Sequence, residues 1–337
     1  MCGQELECQE MTMKINSTTI RNLIPVMALM APISILYYLY PASFNMTWKG
    51  RTYYMFFIWL LILETVLYWK KTETEWKVKS PRTLILLGVS ILPTVYVVLS
   101  ECTSLNTSII SFFQKHSVEK PLVEMMPLAI EYLVFTVSLA LIVMVGQGVE
   151  TLPKYSISIF FLGILGLVYL VDNLYPYGKF TPFQMIVPTT TQLAANILNA
   201  MGFKTAISSF LNPTYGSITI LKVFDTQGKL LAGFGVGWPC AGVDSLLLYS
   251  VTVLLFLKNS GLSLKTSVAC FFIGAAVTYF INILRIVSIF LIAINGGDWG
   301  RFHDYYGPLF SITWITLYPL VILGGQQVWR KITAKRA

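Results

Sequence analysis

The strongest constraint on this chain is a series of long apolar runs, each near the roughly 20 residues that a helix needs to cross the hydrocarbon of a bilayer. About eight can be marked by that length rule. They run approximately from Leu23 to Tyr40, Tyr53 to Trp69, Thr83 to Ser100, Leu122 to Val145, Ser156 to Val171, Ala241 to Leu257, Thr266 to Ile294 and Leu309 to Val328. A segment facing lipid must satisfy its own backbone groups, which leaves helices and closed barrels. Alternation of the barrel kind is absent from these runs, so the expected fold is an all-α polytopic membrane protein. Composition agrees. With 55% hydrophobic and 12% charged residues over 337 positions, and a mean hydropathy of +0.67, the chain lacks the polar surface of a soluble domain.

Lysine and arginine set the expected orientation. The linker after the second run carries Lys70, Lys71, Lys77, Lys79 and Arg82, the linker after the sixth carries Lys258 and Lys265, and the end carries Arg330, Lys331, Lys335 and Arg336. The positive-inside rule places these in the cytoplasm of a plasma membrane. Both termini are then cytoplasmic, in agreement with Lys14 and Arg21, and the loops with Lys49, Lys115, Lys179 and Arg301 face outward. Orientation and anionic-lipid contact account for the net charge of +8, so no nucleic acid is called for. Met1 to Arg21 is mixed and polar, and Leu23 to Tyr40 reads as a retained anchor rather than a removed leader. The five cysteines form no CxxC pair or disulfide ladder. Asn45 and Asn106 open sequons in expected outside loops.

Charges within the early runs are few. Glu64, Glu124 and Glu131 are the exceptions, and a carboxyl inside a span usually faces the bundle interior. Glu124 and Glu131 are two helical turns apart and are expected on one face of the fourth span. Between Asp172 and Pro239 lies one long outward segment. Pro188 suits a first helical turn, and Leu193, Ala194, Ile197, Leu198 and Met201 recur at helical spacing up to Gly202, which predicts an interfacial amphipathic helix. Alternation from Ser217 to Phe224, turn residues from Asp225 to Gly228 and a second run from Leu230 to Val236 predict a β-hairpin. The hairpin leads straight into Trp238, Pro239 and Cys240.

Three residues near the outer ends of the last segments carry the chemistry. Cys240 opens the sixth run behind a proline, and a helix N-terminus there lowers a thiol's pKa. Ala241 and Gly242 beside it leave room for a peptide backbone. Arg285 lies about 30 Å along the seventh span from its cytoplasmic end at 1.5 Å per residue. It shares a face with Asn282, a pairing suited to an oxyanion or thiolate. His303 precedes the last span and has the pKa to take a proton from a thiol and return it to an amine. Each also has an ordinary reading. A lone membrane cysteine is usually a small buried apolar residue, Arg285 can pair with Asp244 or Glu131, and a loop histidine is usually incidental. Their conjunction at one depth matches what acyl transfer through a thioester requires. No HExxH or G-x-S-x-G stands against it. No cofactor and no metal are expected.

Cys-x-Gly opening a span, Asn-x-x-Arg in the next and a histidine before the last resemble the exosortase and archaeosortase family of polytopic transpeptidases. The Trp-Pro-Cys-Ala-Gly context is similar to the archaeal branch, of thaumarchaeosortase type. The resemblance covers roughly the last hundred residues and implies Cys240 as nucleophile, with Arg285 and His303 assisting. It implies cleavage of exported proteins at a C-terminal motif, span and basic cluster, then transfer to a membrane lipid. Substrate would bind helix against helix, aided by small residues such as Gly274, Ala275 and Ala276. The expected organisation is a cytoplasmic tail (1–22), five transmembrane helices (23–171), an extracytoplasmic loop (172–239), three catalytic transmembrane helices (240–329) and a basic cytoplasmic tail (330–337). Two rivals stay open: an intramembrane cysteine protease that releases its products, and a transporter using Glu131, Asp244 and Arg285 as an ion path.

Overall fold

The computed structural model describes residues 17–46, 49–67, 69, 81–116, 120–175, 181–212 and 216–334. Cys2, Cys8, Lys14, the linker residues Lys70, Lys71, Lys77 and Lys79, Thr47 of the Asn45 sequon, Lys179, Lys335 and Arg336 lie outside the described residues. The fold is mostly helical (78%) with one small three-stranded sheet.

The helices are α1 (Ser17–Leu39), α2 (Tyr53–Leu67), α3 (Pro81–Cys102), α4 (Leu105–Lys115), α5 (Met126–Gln147), α6 (Ser156–Leu174), α7 (Val187–Ala200), α8 (Val243–Asn259), α9 (Leu264–Ile294) and α10 (Gly307–Ala334), with short turns between them. Among the described residues, six helical segments are long and apolar enough to cross a membrane: Arg21–Leu39, Pro81–Cys102, Met126–Gln147, Val149–Leu174, Leu264–Ile294 and Trp299–Val328. The expectation of eight is not met in full. The second and sixth runs form α2 and α8, of 15 and 17 residues, short of the roughly 20 that cross the hydrocarbon without local thinning. The fourth run also differs. Its helix starts at Met126, leaving Glu124 exposed in a turn off the helix that carries the buried Glu131. Polar α4 was not expected; its Ser and Thr residues hid the pattern.

One compact unit comprises Met1–Pro41, Tyr54–Leu105 and Val134–Ile159. In it α1 packs against α3, and the buried Glu64 has a structural role. Its carboxyl oxygens accept from the backbone amides of Ile157 at 2.9 Å and Ser158 at 3.1 Å. Those amides open α6, where the first N–H groups have no intrahelical partner and the helix dipole favours an acid.

A second unit comprises Ala42–Tyr53, Asn106–Leu133 and Phe160–Ala337. Here Arg51 clamps Glu131 through Nε and Nη2 at 2.9 and 2.7 Å, and Lys49 pairs with Asp172 at 2.6 Å. Opening such a buried pair costs roughly 3–5 kcal/mol, so Glu131 is committed to Arg51 rather than to Arg285. The hairpin forms as expected but is part of a larger sheet. Strands β1 (Lys204–Asn212), β2 (Gly216–Phe224) and β3 (Leu230–Val236) are antiparallel in the order β1-β2-β3. β1 escaped notice because six of its nine residues are exposed in one run and show no alternation. The turn after β2 is an Asx turn, with Asp225 Oδ1 accepting from Gln227 N at 2.9 Å and Lys229 N at 2.8 Å. Helix α7, with Pro188 in its first turn as read from sequence, packs on β1 and β2. It buries Ala194 and Leu198 in the same layer as Leu221 and Val223.

Helix α9 is the frame of this unit. Ser263 caps it by accepting from Thr266 N, and its 31 residues extend about 46 Å. Arg285 stands about 32 Å along it from its start, a distance close to the roughly 30 Å thickness of a hydrocarbon layer.

Candidate active site

The sheet delivers the thiol. After β3 the chain turns through Gly237 to Ala241, whose amide donates to Gly237 O at 3.0 Å. Trp238 pins the turn: it is fully buried with its ring 4.9 Å from that of Phe183. The next helix does not begin at Cys240. It begins at Val243, with Gly242 as N-cap at φ 91°, so the thiol lies outside the first turn and the helix dipole is not its main support. Left-handed φ favours glycine, and space demands it too: a Cβ on Gly242 would sit 2.8 Å from Asn282 Cγ and Nδ2. Gly242 therefore makes room for Asn282, not for an incoming peptide.

Asn282 and Arg285 share a face of α9, as read from sequence, and each holds the backbone of another candidate residue. Asn282 Nδ2 donates to Cys240 O at 3.0 Å. Arg285 Nη2 donates to His303 O at 2.9 Å. Gly307 opens space for the guanidinium, since a Cβ there would lie 2.6 Å from Arg285 Nε. His303 is carried by a π-helical turn, Phe302–Tyr306, ahead of α10. One helix thus positions two loops, and they meet: Cys240 Sγ lies 3.3 Å from His303 Nε2.

Cys240 is half-buried. Burial raises its thiol, but the hydrogen bond with His303, the His303 charge and the Arg285 guanidinium outweigh burial and hold it below the ordinary thiol range. Thiolate is the nucleophilic form. Sulfur, imidazole and guanidinium therefore form a unit that can make and break a thioester. Arg285 Nε, Asn282 Oδ1 and Asp244 Oδ1 are buried beside it with no hydrogen-bond partner among the described residues. The ordinary alternative for Arg285, a pairing with Asp244 or Glu131, is not among the salt bridges of the described residues.

A shallow groove of about 610 Å³ flanks the site, lined by Pro182, Met185, Ile186, Thr189, Leu246 and Tyr279. It adjoins the cysteine loop: Thr190 Oγ1 lies 2.9 Å from the Tyr279 hydroxyl and 3.4 Å from Ala241 O. The small residues expected to receive a partner helix are partly taken. A Cβ on Gly274 would collide with the rings of Tyr249 and Tyr318, so that notch is filled by α8 and α10.

A family model described as transmembrane exosortase matches residues 48–319. The chain belongs to the exosortase family. No curated protein matches it, and no solved structure does. This exosortase is a multi-pass membrane protein of a protein-sorting family whose members are cysteine-dependent membrane peptidases or transpeptidases. The matched region spans far more than the late motifs on which the sequence resemblance rested. Sequence reasoning missed two contacts around the exosortase's thiol. The Asn282 latch on Cys240 O was legible only as a shared helix face, and the contact of His303 with Asp304 had no signal beyond adjacency.

Proposed function

We propose that this exosortase is a cysteine transpeptidase of archaeosortase type that cleaves the C-terminal sorting tail of exported proteins and passes them to a membrane lipid. The observation that carries the reading is the 3.3 Å approach of Cys240 Sγ to His303 Nε2 beside Arg285. In the first half-reaction His303 takes the thiol proton and the sulfur attacks the scissile carbonyl carbon. As the peptide C–N bond breaks, His303 returns that proton to the leaving amine, and the acyl group remains as a thioester. In the second, His303 removes a proton from the acceptor nucleophile, which attacks the thioester, and the sulfur leaves as thiolate and is reprotonated. Arg285 fixes the His303 backbone and keeps positive charge beside the sulfur. Residues 240–329 hold the chemistry on this reading, and the earlier helices serve as scaffold.

A substrate anchored by one span enters laterally, and the groove beside Tyr279 is the face that adjoins the thiol. The transporter reading is disfavoured because Glu131 is bound to Arg51 and Arg285 to the His303 carbonyl, which removes both from an ion path. Mass spectrometry of the processed product separates transfer from hydrolysis. An added lipid mass on the new C-terminus is expected; a free carboxylate makes the exosortase a protease that releases its products.

The excess of lysine and arginine in alternate linkers supports a site on the outer face, with both termini in the cytoplasm. An impermeant thiol reagent added to intact cells should accordingly label Cys240. Labelling seen only after lysis would reverse the orientation.

A further inference from the structure

His303 has a polar contact on each ring nitrogen: Nε2 faces Cys240 Sγ at 3.3 Å, and Nδ1 lies 2.8 Å from Asp304 Oδ1. A neutral imidazole carries one N–H. A carboxylate only accepts, so the Asp304 contact places that hydrogen on Nδ1. Nε2 then turns its lone pair toward the thiol and can take its proton; the other tautomer would point N–H at the sulfur and take none. Both residues lie on the π-helical turn. Asp298 Oδ1 accepts from Arg301 N at 2.9 Å at the entry to that turn, and Arg285 holds the His303 carbonyl.

We propose that Asp304 is a positioning residue of the transfer reaction, fixing the tautomer of His303 and stabilising the imidazolium that forms when Cys240 gives up its proton. This rests on the reading of Cys240 and His303 as nucleophile and base. The charged and titratable groups around the His303 ring are the Cys240 thiol, Asp304 and the Arg285 guanidinium. The Asp304 side chain is 70% exposed, so water screens it, and its loss costs about threefold rather than the roughly 10⁴-fold seen when a buried triad carboxylate is neutralised.

The test is the pH dependence of Cys240 alkylation by iodoacetamide in the full-length, detergent-solubilised protein, followed on the Cys240 peptide. Wild type is compared with Asp304→Ala, Asp304→Glu and His303→Ala. Alkylation rises as thiolate forms, so a weakened imidazolium moves the rise to higher pH. Asp304→Ala is expected to move it up by about half a pH unit, a fraction of the His303→Ala displacement, and Asp304→Glu to return it toward wild type. In tail processing, Asp304→Ala lowers kcat about threefold with KM unchanged. An Asp304→Ala profile that overlays wild type while His303→Ala is displaced refutes the role of Asp304 and leaves the dyad standing. If His303→Ala also overlays wild type, the dyad itself is refuted.

Discussion

Replacing Cys240 with alanine is expected to abolish processing of the substrate tail while the exosortase still inserts and folds. The expected loss is on the order of 10⁶-fold, as for removal of a covalent nucleophile, because no other thiol among the described residues is placed to substitute. Among the described residues the remaining free cysteines are Cys102 and Cys270, one at the end of α3 and the other 15 residues before Arg285 on the same helix. Stability should hardly move. The Sγ is small and half-buried, the turn that carries it is held by Trp238 and by Asn282 through the Cys240 backbone oxygen, and neither contact needs the sulfur. The measurements are the length of a tagged substrate in cells and the elution profile of the purified variant. Tail cleavage at a wild-type rate with the alanine variant would end the nucleophile assignment.

The second large effect is expected at a residue with no chemistry of its own. Gly242→Ala should lower processing about 100-fold, the scale of a misplacement near 1 Å. Two penalties act together. A φ of 91° costs an L-residue roughly 1–2 kcal/mol, and the new methyl meets Asn282 at 2.8 Å. Asn282 is fully buried and cannot step aside, so the strain passes into its hydrogen bond with Cys240 O and moves the thiol from His303. The double variant Gly242→Ala/Asn282→Ala removes the collision but not the backbone cost. It should recover part of the melting temperature lost by Gly242→Ala without recovering activity, a coupling that a mutant cycle measures. Full activity in Gly242→Ala would show that the loop tolerates the shift and that the latch is dispensable.

The contrast between these two positions shows how far the chain can be read without coordinates. Cys240 was found because a thiol behind a proline, at the edge of an apolar run, has few ordinary uses once an arginine and a histidine recur at the same depth. Gly242 was noticed, but for the wrong reason. Its small size suggested access for substrate, whereas the space is filled by Asn282 from a helix 40 residues on. Glu64 and Glu131 were likewise recognised as costly, yet their partners, the opening amides of α6 and the side chain of Arg51, could not be named from spacing. β1 and α4 were missed because partly exposed elements carry little periodic signal.

Hydropathy alone determined that the chain lives in a membrane as a bundle of helices, because long apolar runs have no other way to satisfy their backbone. The order of Cys240, Arg285 and His303 along it pointed to the family. Only the tertiary structure decided that sulfur and imidazole touch, that Arg285 reaches a carbonyl rather than Asp244, and that Asp304 meets the other ring nitrogen of His303. Those facts depend on how α9 packs between two loops distant in sequence, and side-chain reach across such gaps is set by packing, which no local pattern encodes.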